Sequence, residues 1–178
     1  MMFMMFMLVR AFAAPQPLSV APGDPALVFE LPVVNAGLAA KQSVSLSDLV
    51  GVLPRNPHRA LVLHFFTSRH DGAPLQVLAR IHKRYSGRGL AVLAVCAQPG
   101  AADVVGEQLA GLRLPFPVLH DAHQVVSGRY GLTEYPITLV IDGEGRVFAI
   151  GQPGGDAMEA ELQSEIEGVL RGSQPLPQ

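Results

Sequence analysis

The sequence contains very little cysteine and little charge. Among its 178 residues there is one cysteine, Cys96, and there is no tryptophan. A single cysteine excludes a disulfide-stapled scaffold and any intramolecular disulfide. Charged residues make up 16% of the chain and the formal net charge is -2, so there is no basic excess to attract nucleic acid. We therefore predict no nucleic-acid partner, and no cluster of Lys or Arg on one face.

Long hydrophobic runs are also missing. The N-terminal run from Met1 to Val9 is well short of the roughly 20 apolar residues that span a bilayer. Arg10 and then Ala-Phe-Ala-Ala at 11–14 follow it, and the small residues of this stretch resemble a signal-peptidase site, although no basic residue precedes the run. We predict a signal peptide over residues 1–14, a periplasmic or otherwise exported protein, and membrane association only through this segment. The alternatives are a misassigned start and an apolar tail without a targeting role.

The remaining chain has the composition of one compact domain. Hydrophobic residues make up 49% of the sequence, enough for a sizeable core. Residues 15–24 are rich in Pro, Ala and Gly and are predicted to be a surface linker. The domain is predicted over residues 25–172, and residues 173–178 are expected to form a flexible tail.

Apolar runs and helical stripes indicate an α/β domain. Three runs have the length and composition of strands buried on both faces, as parallel strands are: 61–67, 90–97 and 137–141. A short strand near 27–31, a partner at 43–46 and a serine-capped turn at 47–49 precede them. Two stripes of residues with helical spacing predict two amphipathic helices. The stripe after Pro74 consists of Leu75, Leu78, Ile81, His82 and Tyr85. The stripe near the C-terminus consists of Met158, Leu162, Ile166, Val169 and Leu170.

Several motifs occur in an order that resembles one known group of proteins. They are Gly-Asp-Pro-Ala at 23–26, Gly-Arg-Gly-Leu-Ala-Val-Leu-Ala-Val at 87–95, Phe-Pro-Val-Leu-x-Asp at 116–121 and Tyr-Pro-Ile-Thr-Leu-Val-Ile-Asp at 135–142. This order resembles the thiol-disulfide oxidoreductases of the TlpA/ResA type and the related AhpC/TSA (redoxin) family. The resemblance covers nearly the whole predicted domain. It implies a thioredoxin fold, with a central mixed β-sheet flanked by helices and an N-terminal β extension.

The residues that carry the chemistry of that family are replaced. The resemblance places the redox motif after the first central strand, where this chain reads His70-Asp71-Gly72-Ala73. His70 stands at the first cysteine of a Cys-x-x-Cys pair, or at the nucleophile of a Thr-x-x-Cys motif, and Ala73 stands at the second cysteine. Disulfide exchange needs a thiolate at the helix N-terminus. We predict that conventional exchange is absent, and whether the protein is an enzyme stays open.

Tyr135-Pro136 is the best retained part of the family's site. The resemblance implies that Pro136 is cis and that the backbone before it pairs with extended peptides; the alternative is that the strand entry alone requires this proline. The primary hypothesis is a redox-inactive binding or scaffolding protein of the cell envelope. It would contact a polypeptide partner through His70, Asp71, Tyr135 and Pro136. No cofactor is predicted.

Cys96 and the histidines provide the alternatives. Cys96 ends the second central strand and is interpreted as a buried, inert thiol. Alternatively, it is a reachable thiol of a thiol-disulfide oxidoreductase or peroxiredoxin-like antioxidant that works alone or with a partner thiol. A second alternative is metal binding or delivery through His70, with Cys96 or His64. His64 is interpreted as a core histidine, and the stretch from His120 to His123 as a solvated turn.

Overall fold

A computed structural model of the protein describes residues 18–35, 43–51, 58–67, 72–100, 102–152 and 157–172. The predicted signal peptide at 1–14 and the predicted tail at 173–178 lie outside the described residues, as do residues 15–17 of the predicted linker. The candidate site residues His70 and Asp71 lie outside them too.

The described chain forms two sheets and four helices. Strands β1 (Glu30–Pro32) and β2 (Ser43–Ser45) pair antiparallel, and a short 3-10 turn (Leu46–Asp48) follows. The larger sheet consists of β3 (Ala60–Phe66), β4 (Leu90–Cys96), β5 (Val118–His120), β6 (Ile137–Asp142) and β7 (Val147–Gly151). The helices are α1 (Ala73–Tyr85), α2 (Ala102–Ala110), α3 (Val125–Arg129) and α4 (Met158–Arg171).

The larger sheet is mixed. Its strand order is β5-β4-β3-β6-β7; β3 pairs parallel with β4 and β4 with β5, whereas β6 is antiparallel to both β3 and β7. A mixed sheet flanked by helices confirms the predicted fold class. The prediction that β6 is a parallel strand was wrong, because an apolar run indicates burial on both faces but not strand direction.

Each face of the sheet is covered by its own apolar core. Helices α1, α2 and α4 cover one face, where the two predicted helical stripes are buried except for the half-buried His82. Helix α3, the residues just after it and the N-terminal segment cover the other face. The buried apolar residues that they contribute are Val20, Phe29, Val44, Leu46, Val126, Tyr130 and Leu132. Among the residues that the structure describes, no helix has the length and apolar character needed to cross a membrane.

Part of the predicted linker is packed against the domain. The Ser19 amide donates to the Tyr130 carbonyl at 3.0 Å, and the Gly23 amide donates to the Val147 carbonyl at 2.7 Å. Val20 lies between these bonds and is buried. Residues 18–24 are therefore fixed to the outer edge of β7 and to the end of α3.

The first turn differs from its prediction. It begins at Leu46, and Ser45 stands before it without a side-chain capping bond. The Ser45 hydroxyl instead lies 3.3 Å from the Phe29 carbonyl and 2.8 Å from the Ser47 hydroxyl. The predicted serine cap was wrong because serine hydroxyls also bond to neighbouring strands and to each other, which the local sequence does not show.

Candidate functional site

One edge of the larger sheet gathers the residues that the sequence singles out. Phe66 at the end of β3 lies opposite Cys96 on β4, which lies opposite His120 on β5. On the other side of β3, Phe65 lies opposite Ile137, the first residue of β6. Ligand sites of open α/β sheets form at the carboxyl ends of the strands. This edge, from Phe66 to Ile137, is the candidate functional site and is called the site edge below.

The start of α1 lies at this edge. Ala73 is the first helical residue and is exposed, and Pro74 follows at the second position. Gly72 precedes the helix and fits closely against Leu112, since a Cβ on Gly72 would lie 2.8 Å from the Leu112 side chain. Neither Gly72 nor Ala73 carries a group that could exchange a disulfide. His70 and Asp71, directly before them in sequence, are outside the described residues.

Tyr135 and Pro136 lie at the site edge, immediately before β6. The peptide bond between them is cis. Both residues are half-buried, so part of each remains accessible to a ligand. Burial raises the pKa of the Tyr135 phenol, and a hydrogen bond with the Ser127 side chain opposes that rise. The phenol is therefore neutral at physiological pH and can act as a hydrogen-bond donor.

A buried carboxylate supports Tyr135 through Ser127. Asp121 accepts hydrogen bonds from the amides of Val125 at 2.9 Å and Ser127 at 2.8 Å, and from the Ser127 hydroxyl at 2.8 Å. The negative charge of Asp121 also contributes to the raised pKa of Tyr135. Asp121, Ser127 and Tyr135 thus form one polar network behind the site edge, which the sequence analysis did not identify.

The interpretation of residues 120–123 as a solvated turn was wrong for two of them. His120 is 3% exposed and Asp121 is 2% exposed, whereas His123 is exposed. The Nε2 atom of His120 lies 2.8 Å from the Gln98 carbonyl oxygen, so it carries the proton and donates. The physical reason is that both side chains have polar partners inside the protein, and buried polar groups with partners are tolerated.

Cys96 lies within the core. Its side chain is 0% exposed and belongs to the apolar cluster beneath α1 and α2. Its strand lies beside β3, and Cys96 pairs in register with Phe66. The thiol is therefore near the site edge in the backbone but shielded from solvent by side chains.

His64 is a core histidine, as expected. It is 0% exposed, and its Nδ1 atom lies 2.8 Å from the Thr138 hydroxyl on the adjacent strand. Its ring also stacks on Phe66, with centroids 6.0 Å apart. Within the described part of the chain, no three His, Cys, Asp or Glu side chains come close enough to hold a metal ion. His70, the centre of the metal hypothesis, is outside that part.

A groove with basic walls lies beside α1. It has a volume of about 380 Å³ and runs between α1 and the loop before β5, and we call it the basic groove. Its lining residues include Gln76, Ala79, Arg80, Lys83, Arg113 and Pro115. The prediction that Lys and Arg do not cluster on one face was wrong. Arg113 is distant in sequence from the basic residues of α1, and the fold brings it beside them.

The sheet order and its helices define a thioredoxin-like fold, and solved structures share it. A candidate thiol:disulfide interchange protein DsbE from Chlorobium tepidum is 24% identical, with a TM-score of 0.72, covering 85% of this chain and 99% of that one. A candidate thioredoxin from Neisseria meningitidis is 25% identical, with a TM-score of 0.66 and coverage of 83% and 91%. A secreted disulfide oxidoreductase from Mycobacterium tuberculosis is 16% identical, with a TM-score of 0.61 and coverage of 79% and 95%.

The family follows from the sequence itself. Residues 22–150 match the AhpC/TSA family, which is most of the chain. The chain therefore belongs to the AhpC/TSA family, which confirms the resemblance drawn from its motifs. A search of curated proteins gave no significant match.

Proposed function

We propose that this AhpC/TSA-family protein is a redox-inactive, thioredoxin-like binding or scaffolding protein of the cell envelope. The observation that carries the proposal is the location of its single thiol. The sequence has one cysteine, Cys96, and that residue is 0% exposed in the core. The positions that would hold a redox pair are His70 and Ala73.

Disulfide exchange begins with attack by an exposed thiolate on a substrate disulfide. An imidazole at His70 and a methyl group at Ala73 cannot take part in that reaction. Cys96 is 0% exposed within an apolar cluster, so it could do so only if the side chains that cover it moved away. An oxidoreductase that works through Cys96 would therefore need local unfolding in each cycle.

The surface at the site edge has the properties of a polypeptide-binding face. Tyr135 presents a half-buried aromatic ring whose position is supported by Ser127 and Asp121. Aromatic residues held in place by buried neighbours are typical anchors of protein interfaces. We assign the contact with a polypeptide partner to His70, Asp71, Tyr135 and Pro136.

A location in the cell envelope is supported by two observations. The N-terminal segment 1–14 has the apolar run and small residues of a signal peptide. One protein with a similar fold is described as a secreted disulfide oxidoreductase. Both support export of this chain.

Reduction of insulin in the presence of dithiothreitol tests the redox part of the proposal. We expect no acceleration by the wild-type protein. A double variant, His70→Cys with Ala73→Cys, is the matched control, because it restores thiols at both positions of the redox motif. Acceleration by the wild-type protein that Cys96→Ser abolishes would contradict the proposal.

The binding part is tested by site-specific photocrosslinking in the native envelope, with a photoreactive residue in place of Ala73. We expect crosslinked polypeptides that disappear when Tyr135→Ala is added, because the variant removes the aromatic anchor. Val125→Ala is the control, since Val125 is 60% exposed and lies on α3. Crosslinks that are the same in all three proteins would argue against this face as the binding surface.

A further inference from the structure

The basic groove has walls that are fixed relative to each other. The Gln76 side-chain amide on α1 donates to the Leu112 carbonyl in the opposite wall at 3.1 Å. The close fit of Gly72 against the Leu112 side chain adds a second contact between the same walls. The groove is therefore a built feature of the fold and is connected to the start of α1.

The charged residues that line the groove are positive. Arg80, Lys83 and Arg113 line it, and none of its described lining residues is acidic. Arg80 has a partner in Glu159 on α4, with a distance of 2.8 Å between Nη2 and the carboxylate. At least two cationic side chains remain for an external ligand, although the net charge of the whole chain is -2.

The other residues that line the groove are uncharged. Ala79 and Pro115 contribute apolar surface. Burial, and in second place the charge of His58, lower the pKa of His82, so its imidazole is neutral at physiological pH. The His82 ring packs near Phe116, with centroids 6.2 Å apart. A lining that combines apolar and cationic side chains suits a ligand that carries both apolar and acidic groups.

Arg113 has an unusual backbone. Its φ is +46°, in the left-handed region that residues other than glycine seldom adopt. Such conformations persist where the surrounding structure imposes them, and they are concentrated at functional sites. Here the conformation belongs to a residue that lines the groove.

We propose that the basic groove binds an acidic segment of a polypeptide. Carboxylates of the segment would pair with Lys83 and Arg113, and its apolar side chains would pack on Ala79 and Pro115. Charge complementarity selects this occupant, and the connection through Gln76 and Leu112 makes the groove continuous with the site edge. The inference rests on the proposed function for the identity of the partner, but binding at the groove is measurable separately.

A fluorescein-labelled peptide in which Glu alternates with Leu and Ser is the probe, and its fluorescence anisotropy is measured with the folded protein. We expect binding that weakens with added salt and that falls about tenfold or more in the double variant Lys83→Glu with Arg113→Glu. Arg129→Glu is the control for a charge reversal elsewhere on the protein, because Arg129 lies on α3 at the opposite face of the sheet. A control peptide with Lys in place of Glu should not bind.

Amide NMR spectra of the wild-type protein during the same titration locate the peptide. We expect shifts at Gln76, Ala79, Lys83 and Arg113. Equal binding by the double variant and by Arg129→Glu, or shifts confined to other surfaces, would overturn the inference. It would also be overturned if phosphatidylglycerol vesicles, a DNA oligonucleotide or a second copy of this chain bound the groove and the peptide did not.

The two proposals fail in different ways. Loss of peptide binding in Tyr135→Ala, with no effect of the Lys83→Glu and Arg113→Glu pair, would overturn the groove and leave the site edge in place. Insulin reduction that depends on Cys96 would overturn the redox-inactive function and leave the groove in place.

Discussion

Replacement of Asp121 tests how the site edge is supported. Asp121 is 2% exposed and accepts three hydrogen bonds, two from the amides of Val125 and Ser127 and one from the Ser127 hydroxyl. In the variant Asp121→Ala all three donors lose their acceptor. The two donors of Ser127, its amide and its hydroxyl, are buried, so water cannot readily replace the lost acceptor.

The expected cost follows from these contacts. Removal of a side chain that caps the first amides of a helix costs about 1 kcal/mol. Buried donors left without an acceptor cost about 1–3 kcal/mol more. We therefore expect Asp121→Ala to lower the free energy of unfolding by about 2–4 kcal/mol in total. Asp121→Asn keeps one acceptor oxygen, so its cost should be roughly half as large.

Urea unfolding followed by circular dichroism measures these differences, and Glu161→Ala is the control. Glu161 is an exposed carboxylate on α4, so its removal should change stability by less than about 0.5 kcal/mol. Spectrophotometric titration provides a second readout. Because the charge of Asp121 contributes to the raised pKa of Tyr135, Asp121→Asn should lower that pKa. The reasoning is refuted if Asp121→Ala is no more costly than Glu161→Ala and the Tyr135 pKa does not move.

Two further predictions concern stability. Burial raises the pKa of Tyr130 from 10.0 to about 12. The resulting stability is present below pH 10 and is lost as pH rises to about 12; two units correspond to about 2.7 kcal/mol. Urea unfolding between pH 10 and about pH 12 should show a smaller loss of stability in Tyr130→Phe than in the wild-type protein. Equal losses in the two proteins would contradict the assignment of this pH dependence to Tyr130. In α2, Gly106→Ala should lower stability by about 1–3 kcal/mol despite the better helix propensity of alanine. Its Cβ would lie 2.7 Å from the Val34 carbonyl oxygen, whereas a Cβ at Gly111 meets nothing within 4 Å. Thermal unfolding compares Gly106→Ala with Gly111→Ala, and equal melting temperatures would contradict the clash.

The strongest periodic signals in the sequence predicted the core of the fold. Strands β3 and β4 and helix α4 lie within a residue or two of their predicted bounds, because each depends on its own apolar run or stripe. Helix α2 was not predicted. It buries only Val105 and Leu109, so its sequence carries little periodic signal.

The candidate site was predictable where it depends on residue identity. The missing thiols at His70 and Ala73 are evident from the motif alone. The support of Tyr135 was not predictable, because Asp121 and Ser127 meet it only after α3 and β6 are in place. The basic groove was missed for a similar reason. One of its walls is a loop, and the charge of Arg113 joins α1 only in the folded protein.

The reactivity of Cys96 in the native protein tests the central claim most directly. Thiol labelling would be followed with and without denaturant across a range of pH, using Cys96→Ser as the blank. The buried position predicts labelling only when the protein unfolds, at a rate that follows global stability. Rapid labelling of the folded protein at neutral pH, with a lowered thiol pKa, would reveal an accessible single-thiol site and would contradict the redox-inactive function.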